Sequence, residues 1–301
     1  MKHAKIALLM LLCAALFTGC VRIDMPDPEP QTVWASFYPV YALAAGVVSG
    51  VPNLTLSCIA QPQDGCIRAY SLSDWDAALV SGADLFIIGG RGLESWESTL
   101  TAGSVPVLTA MENLPLIGAD EAVSDESGHF DGPNPWIFLS VDGARSVTAA
   151  IAGGMAGLDP DFADLYAENL AAMNARFDSL EADIASALAG ADLPGAILMQ
   201  EGLCYFAQDT GIPAYIEIER EAGADMSDIE FADALSVMAE SGYTLVLIER
   251  QAPQGLVRAL EKEGYTVVLI DILTDHSPAE GPDGYFTAML QNAQALAEAL
   301  R

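Results

Sequence analysis

The chain has 301 residues, 52% of them hydrophobic, and carries 12 Lys and Arg against 42 Asp and Glu, a formal net charge of −30. That length accommodates two domains of ordinary size, and that hydrophobic fraction supports large buried cores. A surface so acidic repels phosphate backbones, which excludes nucleic acid as a partner, and it raises the local concentration of cations.

Residues 1–19 read as a targeting segment rather than as part of the fold. Lys2 and Lys5 precede an apolar run from Ile6 to Phe17, too short for a comfortable bilayer span. The run ends Leu16-Phe17-Thr18-Gly19-Cys20, which resembles a bacterial lipoprotein signal. That resemblance implies cleavage before Cys20 and lipid attachment to it, leaving the mature chain extracytoplasmic and anchored to the bacterial cell membrane. Residues 20–31 form a tether, Pro-rich and polar from Met25 to Gln31. Cys58, Cys66 and Cys204 follow Cys20. Their odd count excludes a complete set of intramolecular disulfides and leaves room for one bridge, Cys58–Cys66.

From residue 32 strands and helices alternate. Val33–Pro39, Leu54–Ile59 and Asp84–Gly90 read as buried strands, with helices over Val40–Ser49 and Ser73–Ser81 between them. Val105–Leu108 reads as a further short strand, Met111–Pro133 as loop, and Val141–Gly157 as a helix. Phe162, Leu165, Tyr166, Met173, Phe177, Leu180, Ile184 and Leu188 then repeat in steps of three and four. This predicts one long helix, with Asp159 at its N-cap, Pro160 in its first turn and Gly190 as its stop. Beyond it strands are expected at Gly195–Met199, Tyr215–Ile218, Thr244–Ile248 and Thr266–Ile270. Helices are expected from Tyr205, over Asp228–Ser241 and Gln254–Glu263, and finally over Tyr285–Leu300. The expected class is α/β: an N-terminal lobe (32–158) and a C-terminal lobe (191–301), each with a mainly parallel sheet flanked by helices, joined by the linking helix (159–190). Ligands in such folds bind at the carboxyl ends of the strands, here in the cleft between the lobes.

Several segments resemble the substrate-binding lipoproteins of zinc- and manganese-type ABC importers. Ser36-Phe37-Tyr38-Pro39-Val40-Tyr41 is similar to the family's opening strand and loop. Ala83-Asp84-Leu85-Phe86 followed by Gly92-Leu93-Glu94-Ser95-Trp96 resembles its most specific signature. Asn134-Pro135-Trp136-Ile137-Phe138-Leu139-Ser140, Leu158-Asp159-Pro160, Tyr205-Phe206-Ala207 and Thr210-Gly211-Ile212 follow in the family's order. The resemblance implies capture of a solute outside the cell, zinc or manganese at family level, and its delivery to an ABC permease. It also implies a site of three histidines and one carboxylate drawn from both lobes. The histidine positions fall on Arg68 (or, with a gap, Cys66), Trp136 and Gln200. The carboxylate is kept at Asp271, and Glu249 matches a nearby acidic position.

Arg and Trp offer no lone pair to a metal, and a Gln carbonyl is a weak ligand. Two rebuilt sites follow. One is a metal site of Cys66, Cys204 and Asp271, with Glu201 or Glu249. The other is a cleft for a small organic solute, with Arg68 clamping an anionic group, Trp136 stacking, and Asp271 and Glu249 facing an amine. An Arg68–Asp271 ion pair closing an empty cleft is a third arrangement, and an adhesion or interaction role on the same scaffold a further one. His129 and His276 match no ligand position; they are expected to be exposed, with a substitute ligand or a metal-recruiting loop residue as the alternative. No nucleophile and base stand at catalytic spacing, so no enzyme is expected.

Overall fold

The computed structural model describes residues 30–60, 62, 67–97, 105–118, 132–218, 220 and 222–301. The targeting segment, Cys66, His129 and most of the tether lie outside the described residues.

Two four-stranded sheets, parallel throughout, organise residues 31–301, which form one compact unit. The first contains β1 (Gln31–Ala35), β2 (Leu54–Cys58), β3 (Leu85–Ile88) and β4 (Val107–Thr109) in the order β2-β1-β3-β4. The second contains β5 (Ala196–Leu198), β6 (Tyr215–Glu217), β7 (Leu245–Glu249) and β8 (Thr266–Ile270) in the order β6-β5-β7-β8. Every residue of β3, β5 and β7 is buried. That is why these strands read as unbroken apolar runs rather than alternating ones: helices cover both faces. β1 begins at Gln31, the last residue of the expected tether.

Among the described residues the α-helices are α1 (Tyr38–Val47), α2 (Asp74–Ser81), α3 (Val141–Leu158), α4 (Ala163–Ala187), α5 (Leu203–Asp209), α6 (Asp228–Ser241), α7 (Gln254–Lys262) and α8 (Gly281–Ala299). Ser73 and Ser227 close capping boxes with Asp76 and Glu230, and Ser140 Oγ accepts from Gly143 N–H, which starts α2, α6 and α3. The long helix departs from its expected start. Pro160–Phe162 make a 3-10 turn, and α4 begins at Ala163. Asp159 is not a side-chain cap; its carboxylate accepts from Tyr166 O–H at 3.1 Å.

One core runs through both sheets, from Phe86 and Ile151 through Phe177 to Leu198, Phe206 and Tyr285. A second cluster (Ile197, Met199, Val246, Ile248, Leu260) lines the other face of the second sheet. The linking helix α4 packs on α3, α1 and α8, and α8 itself packs on α1 of the first lobe. Tyr285 O–H of α8 reaches the carbonyls of Phe138 and Ser140 at 3.1 and 3.3 Å. Tyr205 O–H donates to Asn134 O and accepts from Ile117 N–H. The lobes are therefore joined by buried side chains as well as by the long helix.

Glu94, within the Gly92–Trp96 motif, belongs to this framework. Its buried carboxylate accepts from Ser36 O–H, Gly89 N–H and Gly90 N–H at 2.6–2.8 Å, fixing the exit of β3 against that of β1. Burial raises its pKa in spite of these three donors.

Candidate metal and solute site

β8 ends at Ile270, and Asp271 follows at the carboxyl edge of the sheet. Asn292 of α8 grips its backbone from both sides, accepting from Asp271 N–H at 2.8 Å and donating to Asp271 O at 2.9 Å. Asp271 Oδ1 accepts from Leu273 N–H at 2.8 Å, across a turn in which Leu273 takes a left-handed φ of 68°. That turn brings the chain back on itself and sets His276 beside the carboxylate.

Asp271 Oδ2 faces two cationic groups, His276 Nε2 at 2.7 Å and Arg250 Nη1 at 2.8 Å. Arg250 Nη2 also bridges Asp275, at 2.9 and 3.1 Å from its two oxygens. The other His276 nitrogen, Nδ1, is 2.8 Å from Glu280 Oε2. The imidazole stacks on Tyr38 of the first lobe, with centroids 4.9 Å apart and planes at 20°, and Tyr38 O–H donates to Gly281 O. The cluster thus lies where the lobes meet.

Burial works against ionisation of Asp271, but the His276 partner, Leu273 N–H and Arg250 hold its carboxyl below the usual range. Burial likewise opposes a charged His276, yet the carboxylates of Asp271 and Glu280 raise its pKa. A carboxylate against each ring nitrogen favours the protonated ring, and a metal at Nε2 would have to displace the proton there. One ligand atom from each of Asp271, Asp275 and His276 lies within 4.8 Å of the others, one nitrogen and two oxygens. Such donors would suit zinc or manganese, and the Glu280–Nδ1 contact would then serve as the outer-shell bond that orients the imidazole.

A second cross-lobe cluster gathers around Glu201. Its Oε1 is 2.8 Å from Arg68 Nη1 and accepts from Trp136 Nε1–H at 2.8 Å, and Asn134 Nδ2 donates to its backbone carbonyl. Gln200 is buried beside them, and its Oε1 has no hydrogen-bond partner among the described residues. A Cβ on Gly202 would sit 2.5 Å from Trp136 and 3.0 Å from Gln200 Oε1, so only glycine fits there.

Several expectations change. Arg68, Trp136 and Gln200 do come together, but Trp136 is fully buried and offers no face for a solute to stack on. Arg68 pairs with Glu201, and the guanidinium on Asp271 is Arg250, so the anticipated Arg68–Asp271 pair is replaced by two separate pairs. Glu249, at the end of β7, is enclosed, pairing with Arg220 and accepting from Gly223 N–H; it does not open to a ligand amine. Cys204 is a buried thiol pushed up to about 12 by burial, which disfavours the thiolate a metal needs. Cys58 is a buried thiol that donates to Ala60 O, and Cys66, its possible bridge partner, lies outside the described residues. His276 is not exposed: only 11% of its side chain meets solvent. Its position five residues past Asp271, and that of Arg250 directly after β7, were the signals available.

Comparison with known proteins agrees with this architecture. The sequence profile of the family described as zinc-uptake complex component A, periplasmic (ZnuA) matches residues 33–299. The zinc-binding lipoprotein AdcA of Streptococcus pneumoniae strain R6 is 26% identical over 306 residues, covering 97% of this chain and 60% of AdcA. The chain thus spans only about three fifths of that relative's length. The manganese-binding lipoprotein MntA of Halalkalibacterium halodurans is 22% identical, covering 76% of this chain and 75% of MntA. The crystal structure of the Zn(II)-bound ZnuA-like domain of Streptococcus pneumoniae AdcA shares the fold, with a TM-score of 0.71 at 21% identity over 90% of this chain and 99% of that one. With a match that runs from β1 to the last turn of α8, the chain belongs to the ZnuA family of periplasmic zinc-uptake components.

Proposed function

We propose that this protein is the extracytoplasmic solute-binding component of an ABC importer, that it captures zinc or manganese, and that it delivers the metal to the permease. Asp271, Asp275 and His276 hold the ion. The observation that carries this reading is the meeting of three ligand atoms at the carboxyl end of β8, beside Tyr38 of the other lobe. They stand in for the family's histidine set, of which Arg68, Trp136 and Gln200 retain no imidazole. Arg250 lies on both carboxylates and acts as a counter-cation, so a metal binds by replacing it; its side chain is 43% exposed and can turn out to water. The relatives AdcA and MntA, named for zinc and manganese binding, support this cargo. Cys20 carries the lipid that keeps the protein at the membrane, and binding rather than turnover is the activity.

The test is the melting temperature of the lipid-free chain with zinc, with manganese and with a chelator. A native-state ligand at about 100 times its Kd stabilises by about 2.7 kcal/mol, a shift of several degrees. A chelator-reversible rise that disappears in Asp271→Asn supports the reading. An unchanged melt at millimolar zinc and manganese overturns it.

A further inference from the structure

A cavity of about 610 Å³ opens at the edge of the first sheet, beside β2. Its size falls in the range of small-molecule pockets. Four aromatic side chains, Trp34 of β1, Tyr41 of α1, Tyr70 and Trp75 of α2, line it together with Asp76. Among the described residues no Lys, Arg or His lines it, and Asp76 is the one carboxylate. Its far lip is Pro278 and Ala279, in the second-lobe turn that follows His276, so an occupant touches both lobes.

Three features point to one ligand chemistry. Aromatic faces carry negative quadrupole potential and attract a cation that has been partly stripped of water. Asp76 supplies a formal negative charge: although burial opposes its ionisation, donors from Ser73 and Tyr70 keep its carboxyl below the usual range. Among the described residues the walls hold no reactive group, because the Cys58 thiol is buried and pushed up to about 12. A hard metal ion would find too few oxygens here. A phosphorylated or carboxylated solute would meet Asp76 and a chain of net charge −30.

We propose that this cavity is a second ligand site, separate from the metal cluster, that takes a small quaternary or tertiary ammonium compound between Trp34, Tyr41, Tyr70 and Trp75, with Asp76 as its counter-charge. Occupancy ties the Pro278–Ala279 turn to the first lobe and so joins organic-cation binding to the same loop that carries His276.

The proposal is independent of the metal reading and is tested without metal. Tryptophan fluorescence of the full chain is titrated with choline and with its neutral isostere 3,3-dimethyl-1-butanol at matched ionic strength. The expected result is saturable quenching by choline, with the isostere weaker by about tenfold or more. Trp75 is 71% exposed, so Trp75→Ala is expected to fold as the parent does and to weaken choline about tenfold, with Trp75→Phe recovering part of the loss. The zinc response of Trp75→Ala should equal that of the parent. Equal responses to choline and the isostere, absence of saturation, or an unchanged Trp75→Ala would each overturn the proposal.

Discussion

His276 Nε2 stands 2.7 Å from Asp271 Oδ2, and the opposite ring nitrogen is held by Glu280, so one imidazole connects a buried carboxylate to an exposed one at the boundary between the lobes. In the proposed reading this pair takes the place of the histidines that the family relationship would lead one to expect. Nitrogen and oxygen donors are present, but they come from one loop rather than from both lobes.

Replacing Asp271 by Asn keeps an acceptor for Leu273 N–H and removes the charge that faces His276 and Arg250. Breaking such a buried, charge-assisted contact costs about 2–4 kcal/mol. Denaturant unfolding should show that loss, together with the loss of any zinc-dependent stabilisation. A variant as stable as the parent would mean that Arg250 and His276 are solvated in the native state.

Arg250→Gln removes the guanidinium that bridges Asp271 and Asp275. A cation competes with this charge for the same oxygens, so metal affinity should rise about tenfold or more by calorimetry. The apo stability should change by less than about 1 kcal/mol, because the side chain is substantially exposed. Weaker metal binding in this variant would show that Arg250 supports the site instead of filling it.

Gly202→Ala should destabilise the protein by about 1–3 kcal/mol. The added methyl would press on Trp136, which is enclosed and anchored to Glu201, so neither neighbour has room to yield. Thermal unfolding checks this; an unchanged melt would mean that the Trp136 indole is free to move.

Asp209 gives the stability a pH dependence. Burial pushes its carboxyl up to about 6, a rise that the Val141 N–H donor opposes and that Asp142 and Glu181 add to. The folded pKa lies above the unfolded one, so the folded state holds the proton more tightly. Stability from this group is full below about pH 4 and is lost as pH rises through about 6. Asp209→Asn keeps an acceptor for Val141 and should stabilise the protein at pH 7–8 by about 1 kcal/mol or less, since the residue is exposed to water, and so raise the melting temperature there. The difference should vanish near pH 4. A variant equally offset at both pH values would rule out this titration as the cause.

The sheets and helices were legible because their signals are local. The apolar runs of β3 and β7 and the three-and-four spacing of Tyr166, Met173, Phe177 and Ile184 need no knowledge of partners. Asp271 was legible through the family resemblance, which places a carboxylate ligand directly after β8. The start of α4 was not, because Asp159 satisfies Tyr166 rather than its own helix. The occupied cleft was not legible either. The pairing of Arg250 with Asp271 depends on β7 lying beside β8, and the approach of His276 depends on the left-handed turn at Leu273. Trp136 reads as a ligand-facing aromatic until its Nε1 is seen to end on Glu201, 65 residues away.

The most direct measurement is anomalous diffraction at the zinc edge from crystals of the mature chain grown with zinc. The account predicts one dominant peak about 2.0–2.2 Å from a His276 nitrogen and from carboxylate oxygens of Asp271 and Asp275, with the Arg250 guanidinium turned away. A crystal with no peak there, or with zinc only on scattered surface carboxylates while Arg250 stays on Asp271, would contradict it.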